Sequence, residues 1–152
     1  MNLSENFTLA ELTISETGKR LGIKNVPNKE QIKALQLLCL KVLQTIRNHF
    51  GIPIHISSGF RIKELNKAIG GAGTSQHCRG EAADIDMDNT TVTNRQVFDF
   101  IRLNLQFDQL IFEFGTSKNP DWVHVSYNSN GNQRNQVLIA KKIAGKSVYQ
   151  NF

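Results

Sequence analysis

Ser75-Gln76-His77-Cys78-Arg79-Gly80-Glu81-Ala82-Ala83-Asp84 is the stretch on which the reading of this chain turns, together with Asp121-Trp122-Val123-His124 further along. From Ala82 to Met87 the residues alternate. That pattern predicts a strand with Asp84 and Asp86 on one face, lining a polar cavity, and Ala83, Ile85 and Met87 on the other. In the strand expected from Trp122, His124 shares a face with Trp122 and Ser126. His77, Asp84 and His124 then supply two imidazoles and a carboxylate. Three protein ligands leave the fourth position of a tetrahedral Zn2+ open to water, the arrangement of a catalytic rather than a structural site. Asp121 stands three residues before His124 and is the candidate for moving protons. An ideal strand points it away from His124, so this role requires it to reach in from the loop after Pro120; otherwise it caps a turn with Asn119 and Pro120.

Upstream of this stretch, Ile62 to Ile69 reads as a short helix closed by Gly70-Gly71, and Ile54-His55-Ile56-Ser57 alternates as a strand. From Lys29 to Phe50, apolar residues at Ile32, Leu35, Leu38 or Cys39, Val42, Leu43 and Ile46 recur at helical spacing, ended by Gly51-Ile52-Pro53. This is the expected core helix. Residues 1–28 form a lead-in with one short helix, begun by Thr8 as cap and Glu11 as its capping-box partner, and a polar segment from Gly18 to Asn28. Downstream, Thr93 to Leu105 reads as a helix, and Gln109 to Phe114, Trp122 to Tyr127 and Val137 to Lys141 as strands. Helices followed by a small sheet predict an α+β fold, with N-terminal helices packed on a mainly antiparallel sheet.

The 152 residues are the size of one domain, and 39% hydrophobic content with nine Phe is ordinary for a globular protein. A formal charge of +5 favours anionic partners, among them nucleic acid, membrane surfaces and anionic wall polymers. The basic residues are scattered, however, without the clusters and exposed aromatics of a nucleic-acid binder. No stretch approaches the ~20 apolar residues of a membrane span, and the first residues lack the basic start and apolar run of a signal peptide. The expectation is therefore synthesis in the cytoplasm without an export signal. Cys39 reads as core. Cys78 is a candidate ligand or nucleophile that His77 displaces, and no disulfide framework is expected. Asp86 is a candidate for orienting a ligand histidine and Glu113 for an acid behind the site, whereas Asp88-Asn89 reads as a turn and His49 and His55 as packed or surface residues.

The pattern S-x-H-x-x-G-x-A-x-D (Ser75, His77, Gly80, Ala82, Asp84), the acidic-x-x-His element (Asp121, His124) and the upstream Ser58-Gly59-Phe60-Arg61 resemble the zinc D-alanyl-D-alanine metallopeptidases. These include carboxypeptidases, dipeptidases and phage L-alanyl-D-glutamate endopeptidases of the Hedgehog/DD-peptidase fold. The resemblance covers most of the chain and is similar to single-domain phage members. It implies zinc on His77, Asp84 and His124, Asp121 as general base and then acid, and Arg61 near the substrate carbonyl or carboxylate. Asp rather than Glu at position 121 leans towards endopeptidase.

The expectation is thus one zinc peptidase domain over residues 1–152, acting as a monomer on D-amino-acid-containing stem peptides of peptidoglycan at the cell wall. It is an endopeptidase or a D,D-carboxypeptidase, without a covalent acyl-enzyme. Arg61, Ser75 and Trp122 are the substrate-binding candidates, Ser75 equally a loop-structuring hydroxyl. Two alternatives stay open. One is a non-catalytic, metal-containing module of the same fold that binds wall peptide or protein; the other is a non-haem iron enzyme, whose facial triad is also two histidines and a carboxylate.

Overall fold

The structure, a computed structural model, describes all 152 residues. The chain enters its first helix, α1 (Leu9–Thr13), through the capping box expected of Thr8: Glu11 N–H donates to Thr8 Oγ1 at 3.3 Å and Thr8 N–H to Glu11 Oε2 at 3.4 Å. A second helix, α2 (Glu16–Leu21), starts on the Ser15 side chain and ends at left-handed Gly22. It lies where sequence alone suggested a polar lead-in, because six residues carry too few apolar positions to show a period. The long helical stretch then runs without a break as α3 (Lys29–Leu38), a π-helical segment (Cys39–Leu43) and α4 (Gln44–Phe50). In the middle segment Gln44 N–H reaches back five residues to the Cys39 carbonyl. Leu35, Leu38, Val42, Leu43 and Ile46 are all fully buried, as their spacing requires.

The remaining elements are β1 (Ile56–Ser58), α5 (Lys63–Ala68), a 3-10 turn (Gln76–Arg79), β2 (Ala82–Ile85), α6 (Asn94–Asn104), β3 (Gln109–Glu113), β4 (Trp122–Ser126), β5 (Gln136–Ile143) and β6 (Lys146–Asn151). The strands form one sheet in the order β1-β2-β4-β3-β5-β6, antiparallel except for the parallel pair β3–β5. The expected α+β class and mainly antiparallel sheet are therefore present. Strand alternation gives the sheet two different faces. Ala83 and Ile85 of β2, Leu110 and Phe112 of β3, and Val123 and Val125 of β4 join the helices in a single apolar core, which includes Val97, Phe98 and Ile101 of α6. The opposite face carries Asp84, Ile111, Glu113, Trp122, His124 and Ser126.

The β5–β6 hairpin is longer than the strand foreseen over Val137 to Lys141. Its two-residue turn, Ala144-Gly145, has both residues at positive φ, 49° and 76°, the geometry that suits the twist of a tight hairpin. Asn or Asp is the usual first residue of such a turn. Ala144 gives no such signal, and so β6 went unread.

Candidate metal centre

His77 is presented by the 3-10 turn, which is closed where Gly80 N–H donates to the Gln76 and His77 carbonyls. Gly80 sits at φ 75°, and a Cβ there would lie 2.5 Å from the Gln31 carbonyl of α3. Only glycine fits both the turn and the close approach to the helix. The His77 ring is buried, and its Nδ1 lies 2.7 Å from the Gly59 carbonyl. A carbonyl only accepts, so Nδ1 carries the proton and Nε2 presents a lone pair. That lone pair faces Asp84 Oδ1 at 3.4 Å.

Asp84 and His124 are directly opposite one another on β2 and β4, so the antiparallel register alone brings them together. His124 Nδ1 is 3.0 Å from Asp84 Oδ1, and His124 Nε2 is 3.3 Å from Gln76 Oε1. Gln76 spends its amide nitrogen on Asp108, at 2.7 Å, so its oxygen is the atom that meets His124. By the same reasoning as for His77, the His124 proton belongs on Nε2 and the lone pair on Nδ1. Ligand atoms of His77, Asp84 and His124 all lie within 4.8 Å of one another. Two imidazole lone pairs therefore converge on a carboxylate that can only accept. The arrangement is satisfied either by extra protons on both rings or by one cation, and a divalent metal serves all three donors at once. Burial pushes the Asp84 carboxyl up, but in the state with extra protons on both rings His77 and His124 outweigh it by charge and hydrogen bonding and hold the group far below the usual carboxylate range. An ionised carboxylate with two nitrogen donors fits zinc.

Around this centre the other candidates divide. Arg61 donates from Nη1 to Ser58 Oγ at 2.8 Å, and Ser58 pairs with Asp84 across β1 and β2. Its Nε is buried without a partner. Burial lowers the Arg61 pKa, and Asp84 nearby works against that loss. Ser75 opens the 3-10 turn through its backbone, its hydroxyl making no capping bond. Trp122 lies on the His124 face, half-buried against the Phe114 ring at 5.3 Å. Asp121 is exposed at the mouth of β4, with its N–H donated to the Glu113 carbonyl at 2.9 Å. The turn before it is held by Thr116 Oγ1, which accepts from the Lys118 and Asn119 N–H groups, so the Asp121 carboxylate is not spent on capping.

Glu113 is buried on the sheet face that carries His124, where desolvation, partly countered by His124, pushes its carboxyl up to about 7. The Asp86 carboxylate meets neither His77 nor His124: its Oδ1 accepts from the Asp88 N–H and from Asn94 Nδ2, serving the turn before α6. Cys78 is buried and free, and burial raises its thiol despite the pull of Arg61, which leaves it a poor nucleophile. Sequence reasoning missed Gln76 and Asp108 altogether. Their link spans 32 residues, and only the trace of Gln76 beside His77 pointed to either.

A family model described as Peptidase M15 matches residues 5–126, more than three-quarters of the chain. The chain belongs to the peptidase M15 family, the zinc D-Ala-D-Ala carboxypeptidase family. No curated protein matches it. The matched span of this M15 metallopeptidase contains all three converging donors and ends with β4, before the β5–β6 hairpin. No helix is long and apolar enough to cross a membrane.

Proposed function

We propose that this chain is a zinc peptidase that hydrolyses D-amino-acid-containing stem peptides of bacterial peptidoglycan, as an endopeptidase or a D,D-carboxypeptidase. The observation that carries the reading is the convergence of His77 Nε2, His124 Nδ1 and the Asp84 carboxylate, each with its lone pair turned to the same point. Zn2+ held there supplies a Lewis acid for the scissile carbonyl and lowers the pKa of water from about 15.7 towards 7.

The protein's own groups do the rest. Arg61, with an unpartnered Nε beside Asp84, offers planar donors to the developing oxyanion or to a substrate carboxylate. Asp121 takes the proton of the attacking water and returns it to the leaving amine, a contribution of roughly 10² to 10⁴ in rate. Trp122 forms a wall on the His124 side, and the Ser75 hydroxyl is free for the substrate backbone. The substrate lies at the cell wall, and the enzyme works as a monomer.

Digestion of purified peptidoglycan by the zinc-loaded protein, with masses measured for the released fragments, tests the reading and identifies the bond. Loss of a terminal D-Ala marks a carboxypeptidase, and separation of L-Ala from D-Glu marks an endopeptidase. Intact muropeptides after incubation with fully loaded protein refute the activity and favour the non-catalytic wall-binding alternative.

A further inference from the structure

We propose that Gln76, Asp108 and Arg134 are positioning residues that fix the tautomer and ring plane of His124 and tie the loop between β4 and β5 to the metal centre. The proposal rests on the zinc-peptidase reading above and extends it to residues outside the converging donors.

Asp108 is almost fully buried, with 4% exposure, at the start of β3. Its carboxylate receives Gln76 Nε2 at 2.7 Å, Arg134 Nε at 2.8 Å, Arg134 Nη2 at 2.7 Å and the Arg134 backbone N–H at 3.3 Å. An ionised carboxylate accepts and never donates, so the Gln76 amide has one allowed orientation, nitrogen to Asp108 and oxygen to His124. That oxygen demands a proton on His124 Nε2, which leaves Nδ1 as the ligand atom. Were the amide reversed, its NH2 would face Nε2, the His124 proton would shift to Nδ1, and the nitrogen beside Asp84 would have no lone pair to offer. Arg134 completes the chain from the far side. Its hydrogen bonds hold the Asp108 carboxyl below the usual range, so Asp108 stays ionised and the direction of the relay is kept.

The loop from Tyr127 to Asn135 thereby gains two anchors at the centre. Arg134 grips Asp108, and Glu81, just after the 3-10 turn, accepts from the Ser129 N–H at 3.1 Å and its hydroxyl at 2.6 Å. This whole loop lies beyond the family match, so the relay links the matched part of the chain to its C-terminal portion.

Zinc-loaded protein labelled with 15N histidine tests this directly. His124 is expected to be metallated at Nδ1 and protonated at Nε2, with an Nε2 proton that exchanges slowly. Gln76→Leu, at a half-exposed position, and the near-isosteric Asp108→Asn are each expected to lower zinc affinity about 10- to 100-fold in chelator competition. Both are expected to speed exchange of the His124 Nε2 proton while leaving the His77 resonances in place. Coordination of zinc through His124 Nε2, or unchanged affinity and exchange in Gln76→Leu, overturns the proposal. If the unaltered protein takes up no zinc, the zinc-peptidase reading fails instead. The relay is then read in the metal-free protein, where faster exchange of that proton in Gln76→Leu supports it and unchanged exchange refutes it.

Discussion

His77 rests on a backbone carbonyl, that of Gly59 at 2.7 Å, whereas His124 rests on a side-chain amide, that of Gln76 at 3.3 Å, and the two supports sit in differently built regions. The Gly59 carbonyl belongs to the N-terminal half, where Phe60 N–H donates to the Leu12 carbonyl at 2.7 Å and Arg61 N–H to the His77 carbonyl at 3.3 Å. These bonds lock the 3-10 turn, α1 and the end of β1 together through main chain alone. His124 depends on three side chains in series, each replaceable by mutation without a break in the backbone. A ligand held by main chain is set by the fold, and a ligand held by side chains is set by the identity of those residues.

The largest effect expected removes the partner common to both histidines. Asp84→Asn keeps the shape but loses the charge, and the protein should retain no zinc after gel filtration, measured by metal analysis, with no peptidoglycan hydrolysis. Asp121→Ala should leave both histidine supports and the bound zinc intact while turnover falls roughly 10²- to 10⁴-fold. Loss of zinc in that variant would place Asp121 in the metal shell rather than in proton transfer.

The backbone support is broken differently. A Cβ at Gly59 would lie 2.3 Å from the Leu12 carbonyl, which belongs to main chain and cannot swing aside. Gly59→Ala should therefore cost about 3 kcal/mol in denaturant unfolding, the upper end for overpacking. Gly73→Ala, with nothing near its Cβ, should stay within about 0.5 kcal/mol. Equal losses in the two variants would mean that His77 is not held as described.

A smaller effect comes from Glu113, whose folded carboxyl titrates at about 7 against an ordinary value of 4.5. The folded state binds more protons across that window, so the contribution is fully present below 4.5 and is lost as the pH rises through 7. Unfolding of metal-free protein should show this as a fall on the order of 2–3 kcal/mol between those limits, absent from Glu113→Gln. Parallel pH profiles for the two proteins would mean that burial does not raise this carboxyl.

Local patterns were legible where the cause is local. The Thr8–Glu11 capping box, the apolar spacing from Lys29 to Phe50 and the alternation of Ala83, Ile85 and Met87 each appear where the residues themselves place them. The α2 helix and β6 were not legible. One is too short to show a period, and the other follows a turn whose Ala144 lacks the usual residue type. Asp86 alternates with Asp84 and so was a candidate for orienting a ligand histidine, but its contact with Asn94 at the start of α6 lies beyond any local pattern.

Sequence by itself determined the three candidate donors, the helices-then-sheet order and the carboxylate three residues before the last histidine, because these follow from side-chain chemistry and from periods of a few residues. Tertiary structure alone decided which nitrogen of each imidazole faces Asp84, that Glu113 is desolvated, and that Gln76 meets Asp108, itself held by Arg134, behind His124. Such facts depend on the register of β2 against β4 and on contacts between residues distant along the chain. No local propensity encodes them.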